Sequence, residues 1–236
     1  MPWHPLPKPT EIAEARLLEG ILAGRFPING TLPAERELCG QLGVTRPTLR
    51  EALQRLARDG WVEIQHGKPT RVRDYWHEGS LAVLATLART SAEQPADFFD
   101  HLLEVRTLLA PAYTRQAVER APAAVADLLA GYGHWGEEPA AWAAADWELH
   151  SRLARWAANP IFPLLLNGFT GLAAAMGVRY FTWPEGREQS RRYYIALRRL
   201  AAGPAAGRGD RAEALTRRVM LASRTVWQKH ALGEKR

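Results

Sequence analysis

Arg46, Thr48 and Arg50 follow one another closely enough that, on a helix, the two arginines stand one turn apart on the same face. Guanidiniums at that spacing can each present a two-pronged donor to O6 and N7 of a guanine in the major groove. Thr45 precedes them as an N-cap, its hydroxyl placed to accept from a backbone N–H two or three residues on. That hydroxyl and the free amides of a helix N-terminus can hold phosphate. A solvated basic face would account for one arginine alone. Here a cap, a turn glycine, an apolar stripe and a following hairpin coincide, and the pattern reads as a DNA contact.

Two short helices and a hairpin must position these groups. The first helix is predicted from Pro33 to Leu42, ended by Gly43 in the left-handed conformation. Val44 crosses the turn, and the second helix runs from its cap at Thr45 to a stop at Gly60, burying Leu49, Ala52, Leu53 and Leu56. Trp61 to Ile64, a turn over residues 65–69 and a return strand from Thr70 to Val72 form a wing. Gly67 at its tip lets backbone approach DNA, and His66 and Lys68 flank it as groove or phosphate contacts. A helix capped by Thr10 and reaching Ala23 turns Leu17, Leu18, Ile21 and Leu22 inward.

Beyond residue 80 no strand alternation is visible, and helices are predicted over 80–89, 96–119, 122–131, 139–158, 160–178, 185–202 and 211–232. Pro111 is expected to kink the second of these, Asn159-Pro160 to open the fifth, and Asp210 with Glu213 to form a capping box on the last. The fold class is therefore mainly α: an N-terminal winged helix-turn-helix over 1–73, a linker over 74–79, and an antiparallel helical bundle over 80–236. In the bundle Arg106 falls on a stripe with Phe99, Leu102, Leu109 and Tyr113, so a guanidinium faces the core and needs either an internal carboxylate or an anionic ligand. Ser223 interrupts the inward face of the last helix, where a bond to the carbonyl four residues back is the simpler reading. Asp146 and His150, four apart, could present two ligands to a metal; a hydrogen bond between them is the preferred arrangement, and no metal is expected.

Composition sets bounds. The 236 residues carry a formal charge of +6 and a pI near 9.8, which favours a polyanionic partner. A single cysteine, Cys39, excludes an internal disulfide and reads as a small core residue. No apolar leader or bilayer-length apolar run is present, so the chain is expected to be cytoplasmic and to have no membrane partner. No nucleophile elbow, glycine-rich phosphate loop or Cys-His pair supports an acyl-transfer enzyme.

The segments LPAEREL, GVTRPTLREALQRLARDGW and IQHGKPT resemble the winged helix of the GntR superfamily, and nearly the whole chain is similar to its fatty acid metabolism regulators. The resemblance implies DNA contacts at Arg36, Thr45, Arg46, Thr48, Arg50, His66, Gly67 and Lys68. It implies a long-chain acyl-CoA pocket around Arg106, Tyr180, Ser223 and Trp227, a homodimer on a double-stranded operator, and release by acyl-CoA as effector with no further cofactor. Repression of fatty acid degradation genes and activation of unsaturated fatty acid synthesis genes are implied in the same way. Pro47 and Met220 depart from the pattern, standing where threonine and glycine are expected. Related regulators hold a metal through one aspartate and three histidines; two of those histidine positions align here with Tyr193 and Ser223.

Overall fold

The computed structural model describes residues 7–89, 97–133 and 135–233 and divides into two compact units, Met1–Glu93 and Gln94–Arg236. In the first, α1 (Pro9–Leu22), α2 (Glu35–Leu42) and α3 (Arg46–Asp59) precede a two-stranded antiparallel ribbon, β1 (Val62–Glu63) and β2 (Arg71–Val72), and then α4 (Leu81–Arg89). The ribbon pairs Val62 with Val72 and Glu63 with Arg71, and Thr31 adds a bridge to Arg71. Leu17, Leu38, Leu49, Ala52, Leu56 and Trp61 form the core at no more than 1% exposure. Gly43 and Gly60 end α2 and α3 with φ of 67° and 99°, as their sequence positions required. The start of α1 differs from expectation. Thr10 is not its cap: the cap is Lys8, two residues earlier, whose N–H donates to Glu11, and the buried Thr10 hydroxyl donates to Glu51 at 3.1 Å. By packing α4 goes with this unit, its Ser80 hydroxyl donating to the Asp59 carbonyl at 3.0 Å.

The second unit is a helical bundle: α5 (Phe98–Arg120), α6 (Pro122–Leu129), α7 (Pro139–Trp156), α8 (Ile161–Gly168), α9 (Thr170–Thr182), α10 (Pro184–Ala202) and α11 (Arg208–Gly233). α5 packs along α11 and on α7, while α9 lies on α7 and α10. A Cβ on Gly177 of α9 would stand 3.0 Å from that of Ala143 on α7, so these two helices meet through small residues. The single helix expected over 160–178 is two, bent by 66° about Phe169. Leu166 is the one buried residue of α8, too little apolar anchorage to carry it straight into α9. The Asp210–Glu213 capping box does not form, because α11 already starts at Arg208; both carboxylates pair with Arg115 of α5, at 3.0 and 3.3 Å. Among the described residues no single helix is long and apolar enough to cross a membrane.

Candidate functional site

Two sites emerge, one in each unit. At the N-terminus of α3, Thr45 accepts from the Thr48 N–H at 3.4 Å, and the two hydroxyls meet at 2.8 Å. The pair thus keeps one hydroxyl hydrogen for an outside acceptor. Pro47 has no N–H, and the Leu49 N–H donates to the Thr45 carbonyl at 2.9 Å, which leaves the Arg46 amide as the first-turn backbone donor for a phosphate. Arg46 is exposed. Arg50 is exposed but held, its Nε donating to both oxygens of Glu35 on α2 at 3.2 and 3.0 Å. That grip uses Nε and leaves the Nη edge to reach a base. Arg36 on α2 and His66, Gly67 and Lys68 on the wing tip are all exposed, so every residue singled out for DNA reaches solvent or, for Thr48, its edge.

Arg71, which sequence reasoning missed, anchors the wing. It donates to Glu63 across the ribbon at 2.9 Å, to Asn29 at 2.7 Å and to Glu78 at 2.9 Å. The Arg71 hydrogen bond holds the Glu63 carboxyl below its ordinary pKa. Only the Glu63 contact was legible, from hairpin register; Asn29 and Glu78 arrive from loops on either side.

In the second unit α5, α7, α8, α9 and α11 line a partly open cavity of about 130 Å³ with a largely apolar wall. Arg106, Tyr180, Ser223 and Trp227 all line it. Arg106 donates to Asp146 at 2.7 Å, and the other carboxylate oxygen accepts from Tyr194 at 2.9 Å. Burial favours the neutral acid at Asp146, yet Arg106 and then His150 outweigh it and hold the pKa low. Burial opposes the Arg106 charge as well, and Asp146 more than restores it. Ser223 makes the expected bond to the Val219 carbonyl at 2.9 Å, and it also accepts from Tyr180 at 3.3 Å and Gln189 at 2.8 Å, tying α9, α10 and α11 together. Burial pushes the Tyr180 hydroxyl up to about 12, so it is a neutral donor. Trp227 is buried between Phe99 and Trp183, each with ring centroids 5.4 Å away, under the Arg179 guanidinium at 5.2 Å.

The expected Asp146–His150 hydrogen bond is absent. Nε2 stands 3.7 Å from the carboxylate, and Nδ1 instead meets the Tyr113 hydroxyl at 2.8 Å, because the ring reaches across to α5 while Arg106 and Tyr194 occupy Asp146. A metal would need those same atoms. At the aligned positions Tyr193 bonds Thr216 at 3.1 Å and Ser223 is engaged as above, and among the described residues no three His, Cys, Asp or Glu side chains converge. These residues do not fit a metal centre. Cys39 is half-buried rather than a full core residue.

Two family models cover the chain: that of bacterial regulatory proteins of the gntR family matches residues 9–72, and that of the FadR C-terminal domain matches residues 73–233. A fatty acid metabolism regulator protein of Shewanella amazonensis is 41% identical over 221 residues, 94% of this chain and 91% of its own length. Its counterpart from Escherichia coli O1:K1 / APEC is 40% identical with the same coverage. A solved structure of Lar, described as controlling expression of the Listeria monocytogenes agr system, aligns with a TM-score of 0.60 over 96% of this chain and 99% of that one. At 18% identity it speaks to the fold.

Proposed function

The chain belongs to the fatty acid metabolism regulators of the GntR family, DNA-binding transcription regulators and not enzymes, and from that premise we propose that long-chain acyl-CoA in its bundle cavity releases it from its operator. It acts as a cytoplasmic homodimer, each winged helix reading one half of a pseudo-palindrome. It represses genes of fatty acid degradation and activates genes of unsaturated fatty acid synthesis until acyl-CoA accumulates.

The observation that carries the reading is the gathering of Arg106, Tyr180, Ser223 and Trp227 around one apolar cavity. At about 130 Å³ the space is close to the roughly 150 Å³ cavity that admits a benzene, so a long tail has to displace the walls. A ligand that fits only the displaced arrangement shifts the protein toward it by its differential affinity, which is what an effector requires.

The test is a mobility shift on an operator titrated with acyl-CoAs of increasing length. Each buried methylene contributes about 0.8 kcal/mol, so each two-carbon step is expected to improve release more than tenfold until the cavity is filled. Equal responses to free coenzyme A and a long-chain ester would overturn the reading.

A further inference from the structure

Among the described residues, one buried side-chain polar atom of the cavity lining stands without a partner. Arg106 donates to Asp146, Tyr180 to Ser223, and Ser223 to the Val219 carbonyl, but His150 Nε2 has no hydrogen-bond partner among the described residues, although the residue is 3% exposed and lines the cavity. Its tautomer follows from its neighbours. Among the described residues the Tyr113 hydroxyl meets no acceptor other than Nδ1, so that hydroxyl donates and the ring's own proton sits on Nε2. Burial, then Arg106, pushes the His150 pKa down to about 4, and the ring is neutral at neutral pH. Asp146, 3.7 Å off, lies beyond hydrogen-bond reach and already accepts from Arg106 and Tyr194. A buried N–H on a residue that lines an apolar cavity is costly to leave unmet, and a purely hydrocarbon ligand does nothing to meet it.

We propose that His150 is a specificity element: the bound acyl chain carries an oxygen, either the thioester carbonyl or a hydroxyl on the chain, that accepts from Nε2–H as it passes α7. This rests on the acyl-CoA reading and deepens it. Arg106 is held at Asp146 through Nη2, while the imidazole N–H of His150 has no such partner and is the group proposed to tell an oxygenated chain from a plain one there.

Dissociation constants of the full-length protein for palmitoyl-CoA, its thioether analogue S-hexadecyl-CoA, and hydroxypalmitoyl-CoA hydroxylated at C3 or at the chain end test this. In wild type one oxygen-bearing ligand is expected to bind about three- to tenfold tighter than the matching ligand that lacks that oxygen. Which comparison shows the gain tells carbonyl from hydroxyl. In His150→Phe, which keeps a ring and removes the N–H, that ratio should fall to about one. If no oxygen matters in wild type, or the ratio survives in His150→Phe, the proposal is wrong, and binding of the thioether leaves the acyl-CoA reading standing. Failure of all four ligands to bind removes both. The unmutated protein supplies a second check through the ¹⁵N shifts of His150: an Nε2–H tautomer is expected, and an Nδ1–H tautomer overturns the assignment.

Discussion

At the residue scale, the two arginines of α3 differ in what holds them. Arg46 projects freely, whereas Arg50 must keep or exchange its bond to Glu35, an exposed pair of little net worth. Arg46→Ala and Arg50→Ala are each expected to weaken specific operator binding by roughly 1–3 kcal/mol and to relax sequence preference. Lys68→Ala should weaken all sequences alike and flatten the salt dependence by about one unit. Anisotropy titrations on operator and scrambled DNA at several salt concentrations check both, and wild-type preference in the arginine variants refutes the assignment. His150 gives a pH signature. Its folded pKa is lowered to about 4 from 6.5, so between those values the unfolded chain binds a proton that the folded one does not. Stability is then complete above 6.5 and falls with pH down to about 4, by about 3 kcal/mol at most. Asp146, also lowered, extends the loss in the same direction at still lower pH. Urea unfolding across this range should show the slope in wild type and lose most of it in His150→Phe.

At the scale of elements, the end of α3 is the sharpest point. Gly60 has φ of 99°, and a Cβ there would stand 3.2 Å from Gly79 and Ser80 backbone, so Gly60→Ala is expected to cost more than about 1 kcal/mol in urea unfolding. A variant as stable as wild type would show that the turn relaxes. This element was readable because Thr45, Gly43 and Gly60 act through neighbours a few residues away. The 66° break at Phe169 was not: no proline marks it, and it depends on how little of α8 the bundle buries. Ser223 was placed correctly on an inward face, but its bonds to Tyr180 and Gln189 come from residues 43 and 34 positions distant, which no local periodicity encodes. Arg106 was recognised as needing a partner. That the partner is Asp146, 40 residues on, is a property of how α5 and α7 pair.

For the whole molecule, the proposed DNA face in one unit and the proposed effector cavity in the other would make regulation a coupling between them. Binding free energies are reciprocal: if saturating acyl-CoA weakens operator affinity by some factor, operator must weaken acyl-CoA affinity by the same factor. Calorimetric titration of acyl-CoA into free and operator-bound protein measures that factor, and equal affinity in the two states would show that acyl-CoA binding and operator release are not coupled. The small cavity also has a consequence in time. If acyl-CoA is the effector, a long tail needs more room than this partly open cavity offers, so its full entry waits on the walls, among them Leu166 of α8 and Phe169 at the bend. Under rising acyl-CoA in a stopped-flow instrument, the rate of operator release should therefore climb and then level off at the frequency with which the bundle opens. The regulator's response to a sudden flood of fatty acid would then be timed by its own breathing rather than by how often it meets the ligand.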